Sequence, residues 1–81
     1  MNYKKKKDQV WQKGKKVRGK NPDLYRRDIN GNIIYYHSYG KNSNMGWEID
    51  HSKPQSKGGT NHLNNLQPLK TSDNRKKSNK Y

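Results

Sequence analysis

The chain has 81 residues, a formal net charge of +13, an isoelectric point near 10.1 and a mean hydropathy of -1.70, with only 25% apolar residues. That is room for one small domain with little core. Zero cysteines exclude disulfides and cysteine-bound zinc, and with no long apolar run there is no membrane span.

Six tyrosines and two tryptophans, with no phenylalanine, must supply most of the packing. Nineteen Lys and Arg against six acidic residues call for a polyanionic partner, and nucleic acid leads because lysines displace condensed counterions from phosphates. An anionic membrane surface fits less well, since the lysines do not share one helix face opposite an apolar one. The start, MNYKKKK, lacks the apolar stretch of a secretory signal. An intracellular protein is therefore expected, cytoplasmic or, in a eukaryotic cell, nuclear. Lys4 to Lys7 read as a solvated basic arm or as an import patch.

In chain order, residues 1–20 form the basic arm. Asp8 is placed to cap a short helix over Gln9–Lys13 ended by Gly14, with Val10 and Trp11 docking it on the body. Lys15 to Lys20 read as a flexible connector, and Pro22-Asp23 as a turn. "LYRRDINGNIIYYHSYG" reads as a hairpin, with arms Leu24–Ile29 and Asn32–Tyr39 around a tight Asn30-Gly31 turn whose two central residues have positive φ. After a polar loop, Trp47–Asp50 is a short strand, and 52–64 a long loop. Leu66–Leu69 is a second strand, at an edge because of Pro68. Thr71 or Ser72 caps a helix to about Ser78, and 79–81 fray.

Into this strand, loop, strand, helix order fall Asp50, His51, Asn65 and Asn74. The stretch "GWEIDHSKPQSKGGTNHLNNLQPLKTSDNRKKSNK" resembles the HNH nucleases, most closely in "WEIDH", "SKGGT", "NLQPL" and "NRKK". The upstream hairpin resembles the one that precedes this motif in small members. The resemblance spans roughly 24–78 and divides the chain into a basic arm, 1–20, and an HNH nuclease domain, 21–81, with its core motif at 46–78. The fold it implies is α+β: a ββα-metal core with an upstream β-hairpin.

The resemblance also implies roles. Asp50 and Asn74 would hold one divalent metal, Mg²⁺ or Mn²⁺, through hard oxygen donors. His51 would be the general base, imidazole being the side chain that can act as a base near physiological pH. Asn65 would bond backbone across the long loop and hold His51 in orientation. Arg75 and Lys76 would clamp phosphate, with Lys53 and Lys57 also on DNA, or be ordinary solvated charges. Adjacent strand residues point to opposite faces, so the strand must end or bulge for Asp50 and His51 to share a cleft. Many members carry paired cysteines that bind a structural zinc. Lys70 and Asp73 stand near those positions here, so no structural zinc is expected, and Ile29, Ile33, Ile34 and Tyr35 of the hairpin must brace the core.

Blander readings stand beside these. His51 can be a surface histidine of a DNA-binding hairpin, Asn74 a residue favouring the helix start, and Asn64 the structural asparagine in place of Asn65. His62 is a loop histidine or phosphate contact rather than a second metal ligand, and His37 a packing or surface residue alternating with Tyr36 on a strand. Glu48 and Asp73 pair with lysines or extend the acidic cluster. The function implied is DNA phosphodiester hydrolysis. The alternatives are a non-catalytic basic nucleic-acid-binding module on the same fold and a basic scaffold that folds on RNA. Double-strand cleavage would need a homodimer, a partner protein or two visits.

Overall fold

In the computed structural model, which describes residues 3–78, helix α1 (Tyr3–Trp11) is followed by three short strands, β1 (Lys15–Lys16), β2 (Tyr25–Arg27) and β3 (Ile33–Tyr35). Then come β4 (Trp47–His51), β5 (Leu66–Lys70) and α2 (Thr71–Ser78). β1, β2 and β3 make one antiparallel sheet in that order, and β4 and β5 an antiparallel pair. The α+β class and the ββα unit expected from the motif are present. The expected fraying of 79–81 lies outside the described residues.

With so few aliphatic residues, indoles close the core. Val10, Trp11, Ile34, Trp47 and Leu66 form one buried cluster, with Tyr36 and Ile49 packed against it. The rings of Trp11 and Trp47 lie 5.0 Å apart, and Trp11 meets Tyr36 edge-on at 5.4 Å. Each indole nitrogen donates to a carbonyl, Trp11 to Pro22 at 3.0 Å and Trp47 to Tyr36 at 3.1 Å. Buried indoles are satisfied in this way.

Val10 and Trp11 dock as expected, but the helix carrying them starts earlier. Lysine is a good helix former, so the basic run is itself helical. Asp8 then lies inside α1 rather than at its cap, and its carboxylate accepts the Tyr36 hydroxyl. The connector read into Lys15 to Lys20 begins instead as β1, because Lys15 and Lys16 pair with Arg27 and Arg26. Arg26 is buried, and its guanidinium donates to the carbonyls of Gln12, Gly14 and Pro22 at 2.9–3.1 Å.

The hairpin forms with shorter arms. Tyr36, His37 and Ser38 make a 3₁₀ turn, so His37 does not alternate with Tyr36 on a strand. Gly31 alone of the turn pair has positive φ, +84°, so the two-residue turn is not adopted. Asp28 organises a wider loop: its Oδ1 accepts the backbone N–H of Asn30 at 3.0 Å and of Asn32 at 2.8 Å. Of the hairpin residues expected to brace the core, Ile34 is fully buried, whereas Ile29 is 65% exposed on this loop.

Asp28 is itself buried, and its Oδ2 accepts the Lys70 N–H at 2.9 Å and the Asn32 amide at 3.2 Å. Asp73 of α2 accepts the side-chain amides of Asn32 at 2.7 Å and Asn30 at 3.2 Å, rather than pairing with lysines. The hairpin is thereby bonded to the start of α2. Thr71, the first residue of α2, is buried, and its hydroxyl donates to the Lys41 carbonyl at 2.7 Å. Strand β5 has the expected edge character, with Pro68 opposite Ile49.

Asp28→Ala removes a buried charged acceptor from four donors. It is expected to lower the unfolding free energy by about 3 kcal/mol, read from urea denaturation. The Tyr36 hydroxyl is pushed up to about 12 by its hydrogen bond to Asp8, with burial and the Asp8 charge adding. An unfolded tyrosine ionises near 10, so this bond stabilises the fold fully below pH 10 and is lost as pH rises from 10 to 12. Tyr36→Phe should flatten the fall in urea midpoint across that window and remove the last component of the tyrosinate absorbance titration.

Candidate active site

β4 delivers Asp50 and His51 to the mouth of a cleft that α2 closes with Asn74 and Lys77, and the 52–64 loop with Pro54, Gln55 and Ser56. The five pairs of β4 with β5 run without a bulge, Asp50 opposite Gln67 and His51 opposite Leu66. The strand instead ends after His51, and both Asp50 and His51 line the cleft. Asn74 and Lys77 are three residues apart and so share one helix face.

Asp50 is 5% exposed, and its Oδ2 accepts two bonds, from Gln67 Nε2 at 2.8 Å and from Lys77 Nζ at 2.8 Å. Lys77 also donates to the His51 carbonyl at 3.0 Å. A buried carboxylate needs such partners. The Asn74 amide nitrogen donates to Glu48 Oε1 at 3.2 Å, and the second oxygen of Glu48 lies 3.7 Å from Arg75.

His51 Nε2 lies 2.7 Å from Asn61 Oδ1, which also accepts Gln55 Nε2 at 3.1 Å. An acceptor at Nε2 assigns the proton to that nitrogen and leaves the lone pair on Nδ1. Asn65 does bond backbone across the loop: Oδ1 accepts Lys53 N–H at 2.8 Å, and Nδ2 donates to Lys53 O at 3.1 Å and Thr60 O at 2.7 Å. It therefore holds the residue next to Asn61, and the direct contact with His51 is made by Asn61. The same loop depends on Gly59, where a Cβ would stand 1.7 Å from the Lys53 carbonyl oxygen.

Lys53, Lys57, Arg75 and Lys76 all lie exposed around the cleft-forming elements, and His62 is exposed on the loop. The sequence reading does not single out Lys77, Gln67 or Asn61. The three-residue spacing from Asn74 points to Lys77, and the strand register points to Gln67 once Asp50 is chosen. Asn61 carries no such signal, because the loop path alone brings it to His51. Among the described residues no group of three or more His, Cys, Asp or Glu side chains gathers, so a metal here would take few protein ligands.

The family model for the HNH endonuclease matches residues 36–80, more than half of the chain. The chain belongs to the HNH endonuclease family. No curated protein and no solved structure matches it. Membership suggests a nuclease or nucleic-acid-related function with DNA as the family's substrate, and HNH nucleases generally use a divalent metal. Within this HNH chain the family region begins at Tyr36 and takes in the whole cleft, and α1 and the three-stranded sheet precede it. Among the described residues, no helix is long and apolar enough to cross a membrane.

Asn65→Ala deletes three bonds to backbone on a polar loop. A loss of about 2 kcal/mol in unfolding free energy is expected, with faster proteolytic cutting between residues 52 and 64 than in wild type.

Proposed function

We propose that this protein is a metal-dependent endonuclease that hydrolyses DNA phosphodiester bonds, with His51 as general base and Asp50 and Asn74 as the metal ligands. The observation that carries the reading is the meeting of these three side chains in one cleft of a strongly basic chain. The donors suit a hard cation: a carboxylate and an amide from facing elements, with room left for water and phosphate oxygens. A metal on Asp50 Oδ2 would take the place of the Lys77 ammonium that the carboxylate now holds at 2.8 Å. When bound there, Mg²⁺ or Mn²⁺ would offset charge developing on the leaving 3′ oxygen.

The chain's own residues do the rest. Asn61 holds His51 by Nε2, so Nδ1 is the nitrogen that takes a proton from water as the water attacks phosphorus in line. The products carry a 5′ phosphate and a 3′ hydroxyl. Asn65 is a positioning residue, acting through the loop that carries Asn61. Lys77 lies where its ammonium can turn from Asp50 toward a phosphate oxygen. Arg75, Lys76, Lys53 and Lys57 hold the flanking backbone by charge.

One observation favours a second reading, a non-catalytic nucleic-acid-binding module on the same fold. Asp50 is fully engaged at Oδ2 by Lys77 and Gln67, as a purely structural carboxylate would be. A plasmid relaxation assay separates the two. Supercoiled DNA incubated with the protein should yield open circles in Mg²⁺ or Mn²⁺ and none in EDTA. His51→Ala should cut about 10²–10⁴-fold more slowly, the range for loss of a general base. Linear product would show that both strands are reached, by a dimer or by two visits. Retardation of the plasmid without cutting by wild type in any metal would replace the nuclease with the binding module.

A further inference from the structure

The sheet formed by β1, β2 and β3 lies ahead of the region matched by the family model, apart from the cleft. Its register sorts its side chains. Tyr25 stands opposite Tyr35, Arg27 opposite Ile33, and Lys15 opposite Arg27, and directly opposed residues share a face. One face therefore carries Lys15, Tyr25, Arg27, Ile33 and Tyr35. The other carries Ile34, which is fully buried, and Arg26, which is nearly so. The second face is the core side, and the first looks outward.

That outward face is a row of partly exposed rings edged by cations. Tyr25 and Tyr35 have centroids 5.1 Å apart, and the exposed His37 ring meets Tyr35 at 5.5 Å. The Lys20 ammonium lies 4.9 Å from the Tyr25 ring centre. An open groove beside the row is lined by Lys20, Tyr25, Ile33, Met45 and Lys70. Apolar and aromatic surface is placed between Lys15, Lys20, Arg27 and Lys70, with no carboxylate among these residues.

We infer that this sheet face is a second nucleic-acid site, a stacking platform for single-stranded DNA. Flat rings at a cationic edge suit unpaired bases, which offer a free π-face, whereas bases in a duplex are already stacked. The four cations supply the phosphate contacts. Lys70 lies opposite Trp47 and Asp50 opposite Gln67. The groove thus begins three residues along β4 from Asp50, about 10 Å along the ribbon and, three being an odd step, on its opposite face. The platform deepens the proposed nuclease reading by naming an unpaired stretch as part of the substrate, but it requires only binding, not cleavage.

The test is fluorescence anisotropy in EDTA with the full chain carrying His51→Ala, so that no probe is cut. The probes are labelled oligothymidylate, the same length of oligouridylate, and a blunt duplex. Tyr25→Leu/Tyr35→Leu keeps apolar bulk and removes the rings, and Tyr25→Phe/Tyr35→Phe keeps the rings. Oligothymidylate affinity should fall about tenfold to a hundredfold in the Leu variant, with duplex affinity changed less than twofold. The Phe variant should bind like its parent. Circular dichroism and melting confirm that the Leu variant is folded at the assay temperature. If a folded Leu variant binds oligothymidylate as its parent does, or loses duplex affinity in proportion, the tyrosines are only a cross-strand packing pair and the inference fails. Tighter binding of oligouridylate would overturn the assignment to DNA. Because the readout is binding, failure here leaves the cleavage result of the plasmid assay untouched.

Discussion

The fold turns on the carboxylate of Asp28. It closes the hairpin loop through two backbone N–H groups and reaches across to the N–H of Lys70, the residue before α2. Asp73 answers from α2 by gripping the two asparagines of that loop. These bonds set where α2 begins and how it lies, and so where Asn74 and Lys77 stand relative to β4. Lys70 and Asp73 occupy the neighbourhood in which the resemblance places zinc-binding cysteines in many HNH proteins. Here carboxylate-to-amide bonds bring the hairpin and the helix together at that place. Hydrogen bonds to a charged, buried acceptor are stronger than neutral ones and costly to break, which suits them to the task.

A second brace comes from residues ahead of the family region. Trp11 packs on Trp47, the first residue of β4. Just past α1, the Lys13 ammonium donates to the carbonyls of Leu63, at 2.8 Å, and Leu66. Leu63 belongs to the loop that Asn65 ties together and that presents Asn61 to His51. The basic segment is thus part of the support of the cleft as well as a source of positive charge.

What could be read from the sequence follows from how local each signal is. The short strands at Trp47 and Leu66 and the helix from Thr71 follow from apolar clustering and a polar helix start, and each lies within a residue of its place. The bare Asp50-His51 pair is conspicuous because carboxylates are scarce in so basic a chain. The elements misread depend on distant partners. Lys15 and Lys16 have no apolar alternation, and they form a strand because β2 presents an edge to them. Asn30-Gly31 has the composition of a two-residue turn, but Asp28 recruits both loop amides and widens it. The burial of Arg26 and the ion pair of Lys77 with Asp50 break the rule that long charged side chains face water. Only the three-dimensional placement of their acceptors shows why.

The bonds that join hairpin to helix contain no sulfur. With no cysteine in the chain, nothing at that junction can be oxidised to a disulfide or offer a thiolate to a metal. Its parts are carboxylates and amides already present in the nascent chain, so its assembly waits on no redox partner.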